Sequence, residues 1–327
     1  MKILFCQLKN HGDIIRIFPL LDAIKYYYPG CTIGFTCFEE MVETCKLSKS
    51  IDIIIPQPKF LPVTDTQGGT RILDCSIFYE SVEKVKKEKF DIYVDLHGVF
   101  QSAVYGVMCN IKIRLGRSKE TSKDGACIFY TDICEIKTKE INRMERHFVI
   151  FNKLFPEVKP FLNNTNKKSG KVLIFPGSSK MGYLKRWKTE RYIEVGEKLN
   201  ENENVHFILG PAEKELSHIL KEKTNLPVYL YSNWDGIIEE LKDAKLVIGN
   251  DSAYLHLAVW KKIPAIMLCG ALSPIVNGVW KYGRGEALYN TDCKCPDVWK
   301  GICYNRDHYC MDQILVEDVI EATKKYL

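Results

Sequence analysis

Residues 171–189, KVLIFPGSSKMGYLKRWKT, place an apolar run from Val172 to Phe175 directly before a Pro-Gly-Ser-Ser turn. A basic stretch then leads into a helical pattern that begins near Thr189. A short β-branched run closed by a glycine turn and followed by helical periodicity is the mark of a βα unit. Downstream the rhythm repeats: Val205 to Leu209, Val228 to Tyr231, Leu246 to Gly249 and Ala265 to Cys269 read as strands. The segments 189–200, 212–222, 234–243 and 252–261 between them read as helices. Upstream, strands are expected at 2–8, 31–37, 51–55, 90–96 and 111–115, with helices over 13–28, 39–47, 74–88, 101–109 and 138–155. Parallel strands need crossover connections, so the alternation predicts mostly parallel sheets with helices on both faces. The segment 156–170, PEVKPFLNNTNKKSG, breaks the rhythm with prolines and asparagines and reads as a linker. Two doubly wound α/β domains, 1–160 and 161–327, are the expected organisation. Ligands bind open parallel sheets at their strand C-termini, so functional residues are sought on those ends, facing a central cleft.

Composition removes several function classes. The 327 residues carry 46 Lys plus Arg against 41 Asp plus Glu, and the excess is spread evenly along the chain. No basic arm nominates nucleic acid as a partner. No run of about 18 apolar residues occurs, and the first strand is too short to be a signal peptide. Thirteen cysteines, an odd number lying mostly in predicted strands and helices, fit reduced thiols in a cytoplasm better than a disulfide framework. The lysines of Val82 to Lys89 read as a solvated helix face.

Three turns on expected strand ends carry chemistry. Lys9-Asn10-His11-Gly12-Asp13 joins the first strand to the first helix. Asp13 there is either a helix cap or a carboxylate placed to take a proton from a substrate hydroxyl, with His11 beside it. Pro176-Gly177-Ser178-Ser179, followed by Lys185, offers N–H groups, hydroxyls and an ammonium to a phosphate. Asn250-Asp251-Ser252-Ala253 opens a helix that carries His256, a second anion site unless Asp251 or Ser252 is only its cap. Two anion sites on strand ends of one domain suggest a diphosphate ligand.

Together these stretches resemble glycosyltransferase family 9, the ADP-heptose lipopolysaccharide heptosyltransferases and their relatives. Gly12-Asp13 with Pro19-Leu20-Leu21-Asp22-Ala23-Ile24, Pro176-Gly177-Ser178-Ser179 with Lys185-Arg186-Trp187, and Asn250-Asp251-Ser252-Ala253 with His256-Leu257-Ala258 occur in the family's order. Asp95-Leu96-His97-Gly98 is similar to its Asp-Leu-Gln-Gly strand end, and Arg114-Leu115-Gly116-Arg117 to its Arg-Ile-Gly turn. The resemblance implies a GT-B fold and an inverting, metal-independent transfer of a sugar, heptose from ADP-heptose, to a glycolipid, lipopolysaccharide or other surface-glycan hydroxyl. Alternatives are a protein acceptor or an inactive nucleotide-sugar-binding subunit. It implies Asp13 as general base and a donor site of Ser178, Ser179, Lys185, Glu213, Asp251, Ser252, Ala253 and His256. Acceptor contacts are expected from His11, Arg114 and Arg117, with peripheral contact at the inner membrane face. Where the family has Asp-Thr-Gly, this chain has Asp251-Ser252-Ala253, which adds a Cβ beside the expected phosphate.

Cys293, Cys295, Cys303 and Cys310 form a C-x-C-x7-C-x6-C cluster before the last helix. Four soft ligands at this spacing suit a structural Zn or Fe, with free thiols or a local disulfide as the alternative. No cofactor is expected for catalysis.

Overall fold

The apolar runs fold as expected into strands, buried nearly throughout at the sheet centres and partly exposed towards the edges. The computed structural model describes residues 1–59, 75–138, 140–160, 169–178, 180–270, 272–289, 303, 305 and 309–327. It divides into two units, Met1–Phe161 and Leu162–Leu327.

The first unit comprises β1 (Lys2–Cys6), α1 (His11–Ile15), α2 (Phe18–Tyr27), β2 (Thr32–Phe38), α3 (Val42–Cys45), β3 (Ile53–Gln57), α4 (Cys75–Glu88), β4 (Ile92–Asp95), α5 (Phe100–Met108), β5 (Ile113–Arg117), β6 (Asp132–Cys134) and α6 (Arg143–Phe151). All six strands run parallel, in the order β3-β2-β1-β4-β5-β6. Ile3 and Phe5 of β1 lie beside Ile33 and Phe35 of β2 and beside Ile92 and Val94 of β4, all buried. Such continuous apolar strands are what a sheet covered on both faces requires.

The second unit comprises β7 (Lys171–Phe175), α7 (Thr189–Asn200), β8 (Val205–Leu209), α8 (Lys214–Lys223), β9 (Val228–Leu230), α9 (Trp234–Lys242), β10 (Ala244–Asn250), α10 (Ala253–Trp260), β11 (Ala265–Leu268), α11 (Pro274–Asn277), β12 (Gly285–Leu288), α12 (Tyr309–Asp312) and α13 (Val316–Thr323). Its order, β12-β11-β10-β7-β8-β9, repeats the topology of the first sheet. In each unit the order reverses between the first and fourth strands, β1 and β4 or β7 and β10. That is the switch point at which doubly wound sheets bind ligands.

Three local expectations change. The helix expected over 13–28 is two, α1 and α2, because Pro19 falls in the first turn of α2, the position a proline tolerates. The helix expected over 39–47 is a 3-10 turn, Glu39–Met41, followed by the single turn of α3. Two short edge strands, β6 and β12, join the sheets without the apolar runs that mark the others. On α4, Lys86 pairs with Glu83 at 2.8 Å, as befits a solvated face. No helix among the described residues is long and apolar enough to cross a membrane.

Candidate active site

At the switch point of the first unit, the turn after β1 holds Asp13 inside α1 rather than at its cap. Asn10 occupies the cap position with a φ of 70°, which asparagine tolerates better than most residues, and makes no side-chain cap bond. The Asp13 carboxylate instead collects side-chain donors. Its Oδ1 accepts from Arg16 Nη1 at 2.9 Å and from Arg143 Nη1 at 2.7 Å, and its Oδ2 accepts from Asn10 Nδ2 at 3.0 Å. Burial opposes ionisation of Asp13, but the cations of Arg143 and Arg16 outweigh it and hold the carboxyl well below the usual range. The side chain remains 18% exposed, and Oδ2, with one donor against the two on Oδ1, has lone-pair capacity left.

Arginines crowd this carboxylate. Arg117, at the end of β5, donates from Nη2 to the His97 carbonyl, and the Nε atoms of Arg117, Arg143 and Arg146 are buried without a hydrogen-bond partner among the described residues. Burial, reinforced by Arg117 and Arg143, pushes the Arg146 guanidinium down to about 9. It remains a cation at neutral pH, in a site with more positive than negative charge.

The remaining acceptor-side residues part company. Arg114 sits near the start of β5, away from the strand C-terminus, and its guanidinium is tied to the carbonyls of Phe129 at 2.8 Å and Ile111 at 2.7 Å. It braces a loop and is not brought to the site. His11, on α1, is exposed overall, but its ring is partly covered, with Nδ1 2.6 Å from Thr44 Oγ1, and the desolvation of that ring lowers its pKa.

In the second unit, Asn250 at the end of β10 links the turns. Its Nδ2 donates to the carbonyls of Pro176, 2.8 Å, and Gly177, 3.2 Å, while its Oδ1 accepts from Trp187 N at 2.9 Å. Trp187 is itself buried, with Nε1 donating to the Ile314 carbonyl at 2.9 Å. This frame fixes Lys185, whose Nζ donates to Asp251 O at 3.0 Å and to Asp251 Oδ2 at 3.2 Å. The other Asp251 oxygen lies 2.8 Å from His256 Nε2. The Asp251 carboxylate is thus the counter-ion of Lys185 and a partner of His256, not a helix cap. A carboxylate repels phosphate, so the contribution Asp251 can make to an anion is to orient Lys185.

Ser252 stands at the cap position of α10 with no side-chain cap bond, and its Oγ is buried without a partner among the described residues. Ala253 is the first residue of α10, so that helix presents an uncapped N-terminus beside a buried ammonium. Ser178 is held by Arg186, which donates from Nε to its Oγ and from Nη2 to its carbonyl, both at 3.0 Å. Glu213 is buried at the start of α8. Its Oε2 accepts from Gly210 N at 2.8 Å, and burial raises its pKa against the pull of that N–H and of Arg186. Its carboxylate packs against Gly177, where a Cβ would displace it. A cavity of about 320 Å³ beside it is lined by Pro176, Arg186, Glu213 and Leu216, among others.

Ser179, Cys293 and Cys295 lie outside the described residues. Cys310 is buried in the second core and Cys303 packs against it. Among the described residues no group of three or more His, Cys, Asp or Glu side chains is placed to hold a metal ion. The expected metal site therefore has no support from the half of its ligands that is described.

A family model described as glycosyltransferase family 9 (heptosyltransferase) matches residues 79–295. The chain belongs to this family. It is 29% identical to lipooligosaccharide heptosyltransferase 2 of Campylobacter jejuni, over 96% of this chain and 95% of that protein. Among solved structures, E. coli heptosyltransferase WaaC with ADP superposes with a TM-score of 0.76 at 17% identity, covering all of both chains. The E. coli ADP-heptose lps heptosyltransferase II gives 0.75 at 16% identity, covering 100% of this chain and 98% of that one. This family 9 glycosyltransferase thus has the two Rossmann-like units of the GT-B fold. Sequence reading missed Arg16, Arg143 and Arg146 around Asp13, whereas Asn250 and Arg186 stood within the quoted turns without a role of their own. Only the i, i+3 spacing of Asp13 and Arg16 carried a signal.

Proposed function

We propose that this protein is an inverting, metal-independent heptosyltransferase that moves heptose from ADP-heptose to a saccharide hydroxyl of a lipooligosaccharide. The donor assignment is supported by the neighbour WaaC, solved with ADP and with ADP-2-deoxy-2-fluoro heptose. The acceptor class follows the name of the Campylobacter relative, which aligns over almost the whole of both chains.

Asp13 is the observation that carries the reading: a partly exposed carboxylate at a sheet's switch point, ionised by two arginines, with lone-pair capacity left on Oδ2. The acceptor oxygen attacks the anomeric carbon as the bond from that carbon to the diphosphate oxygen breaks. Its proton passes to Asp13, and ADP leaves with the bonding pair. Attack opposite the leaving group inverts the anomeric centre. Because Arg16 and Arg143 make Asp13 a weak base, it takes the proton late, when the new C–O bond has made the hydroxyl acidic. General bases of this kind contribute about 10²–10⁴ in rate.

Charge on the departing diphosphate is met by Lys185, by Ser252 Oγ and by the N-terminus of α10, fixed donors where other enzymes use a metal ion. Ser178, with Ser179 beside it in sequence, adds hydroxyls, and Glu213 accepts from the donor's ribose. The cationic cluster of Arg117, Arg143 and Arg146 calls for an acceptor that carries carboxylate or phosphate groups near the reacting hydroxyl. The test is incubation with ADP-heptose, or with other nucleotide sugars, and a truncated lipooligosaccharide ending in one heptose. Mass gain by the acceptor with ADP-heptose, undiminished by EDTA, is expected. Binding of ADP without turnover on any donor and acceptor pair points instead to a nucleotide-sugar-binding subunit.

A further inference from the structure

His97 stands at the end of β4, in the turn where the sequence resembles Asp-Leu-Gln-Gly but carries histidine. Three contacts fix its backbone. Asp95 Oδ1 accepts from the N–H groups of His97 and Gly98, both at 2.9 Å, and Arg117 donates to the His97 carbonyl. Asp95 is in turn fully buried, with Oδ2 accepting from Ser102 Oγ at 2.6 Å and Tyr130 Oη at 2.7 Å.

The ring is fixed as well, and so is its tautomer. Gln7, at the end of β1, donates from Nε2 to the Lys9 carbonyl at 3.1 Å, and the same nitrogen lies 3.0 Å from His97 Nδ1. A carbonyl only accepts, so that end of the Gln7 amide must be its NH₂, and its second hydrogen points at Nδ1. Nδ1 is therefore the acceptor, and the ring proton sits on Nε2. Protonating Nδ1 would set two donors against each other, and the neutral ring is favoured. Burial, with Lys9 and Arg117, also lowers the His97 pKa, against Asp95 and Asp13. Nε2 has no partner among the described residues, and His97 is only partly buried.

We infer that His97 is an acceptor-binding residue, a neutral imidazole locked by Gln7 as an Nε2–H donor to a hydroxyl or carboxylate oxygen of the acceptor sugar. The inference rests on the proposed transfer to a saccharide. With Nδ1 engaged and Nε2 protonated, His97 has no free lone pair and does not compete with Asp13 as base.

The test has two arms. In ¹⁵N-histidine spectra at pH 7.5, with the resonance assigned by its loss in H97Q, the Nε2–H tautomer is expected. An Nδ1–H tautomer or an imidazolium overturns the inference whatever the acceptor. In kinetics with ADP-heptose and the truncated lipooligosaccharide, H97F raises acceptor KM about tenfold, equivalent to ~1.4 kcal/mol, with kcat within threefold. H97Q, whose amide restores a donor near Nε2, recovers most of that loss. An unchanged KM in H97F, or loss of kcat alone, contradicts it. Absence of transfer by the unaltered protein refutes the proposed function instead, and with it this role.

Discussion

The Lys185–Asp251 pair provides a prediction in which stability and binding move in different directions. Both residues are buried, and Asp251 has Lys185 on one oxygen and His256 on the other. K185M removes the buried counter-ion of that carboxylate, and breaking a buried pair from one side costs about 3–5 kcal/mol. At about 2–4 °C per kcal/mol for a unit of this size, the melting temperature falls by ~6–20 °C. D251N leaves the ammonium bonded to the backbone carbonyl and costs less, ~1–3 kcal/mol. The double variant K185M/D251N removes both charges and recovers much of the stability lost in K185M. The response to ADP separates binding from folding. At 100 times its Kd, ADP stabilises the unaltered protein by about 2.7 kcal/mol. Losing a hydrogen bond to a charged group removes ~1.5–3 kcal/mol of binding, so K185M and the double variant lose most of that response. D251N keeps it, because the backbone carbonyl at position 251 still orients Lys185 while the diphosphate no longer competes with a carboxylate for it. Differential scanning calorimetry with and without ADP reads all four proteins. An ADP response in K185M equal to that of the unaltered protein refutes the placement of the diphosphate.

Three further expectations follow from the same geometry. In R146M a buried guanidinium without a partner for its Nε among the described residues is removed, so melting rises by about 2–4 °C for ~1 kcal/mol while acceptor KM increases severalfold; a lower melting temperature contradicts this. G177A forces the Glu213 carboxylate from its seat, raising donor KM with a cost of ~1–2 kcal/mol in stability, and unchanged donor kinetics argue against a ribose contact. Because the folded-state pKa of Asp13 is depressed, its ion pairs stabilise the fold at every pH above the unfolded carboxyl value of about 3.9 and are lost as pH falls below it. The melting gap between the unaltered protein and D13N, ~1–3 kcal/mol, is therefore level from about pH 5 to 8 and closes below about pH 4; a gap that changes near neutrality contradicts it.

The strands that make the two sheets were legible because a parallel sheet covered on both faces demands continuous apolar runs, and Val172 to Phe175 or Leu246 to Gly249 supply them. The edge strands β6 and β12 were not, since Asp132–Cys134 and Gly285–Leu288 are short and carry charged or small residues. Pro19 divides the first helical pattern in two because its ring fits only a first turn. In the sites, the turns themselves could be read, and their partners could not. Arg143 meets Asp13 across 130 residues of sequence, and Lys185 meets Asp251 across 66. Such pairs are created by tertiary packing and leave no local pattern. The same holds for the tautomer of His97, which depends on Gln7, 90 residues away in sequence.

The most direct test is single-turnover transfer by D13N with ADP-heptose and the truncated lipooligosaccharide, measured beside ADP binding. A transfer rate lower by about 10²–10⁴, with ADP affinity within threefold of the unaltered protein, is the predicted result. Transfer within tenfold of the unaltered rate contradicts Asp13 as the group that accepts the proton.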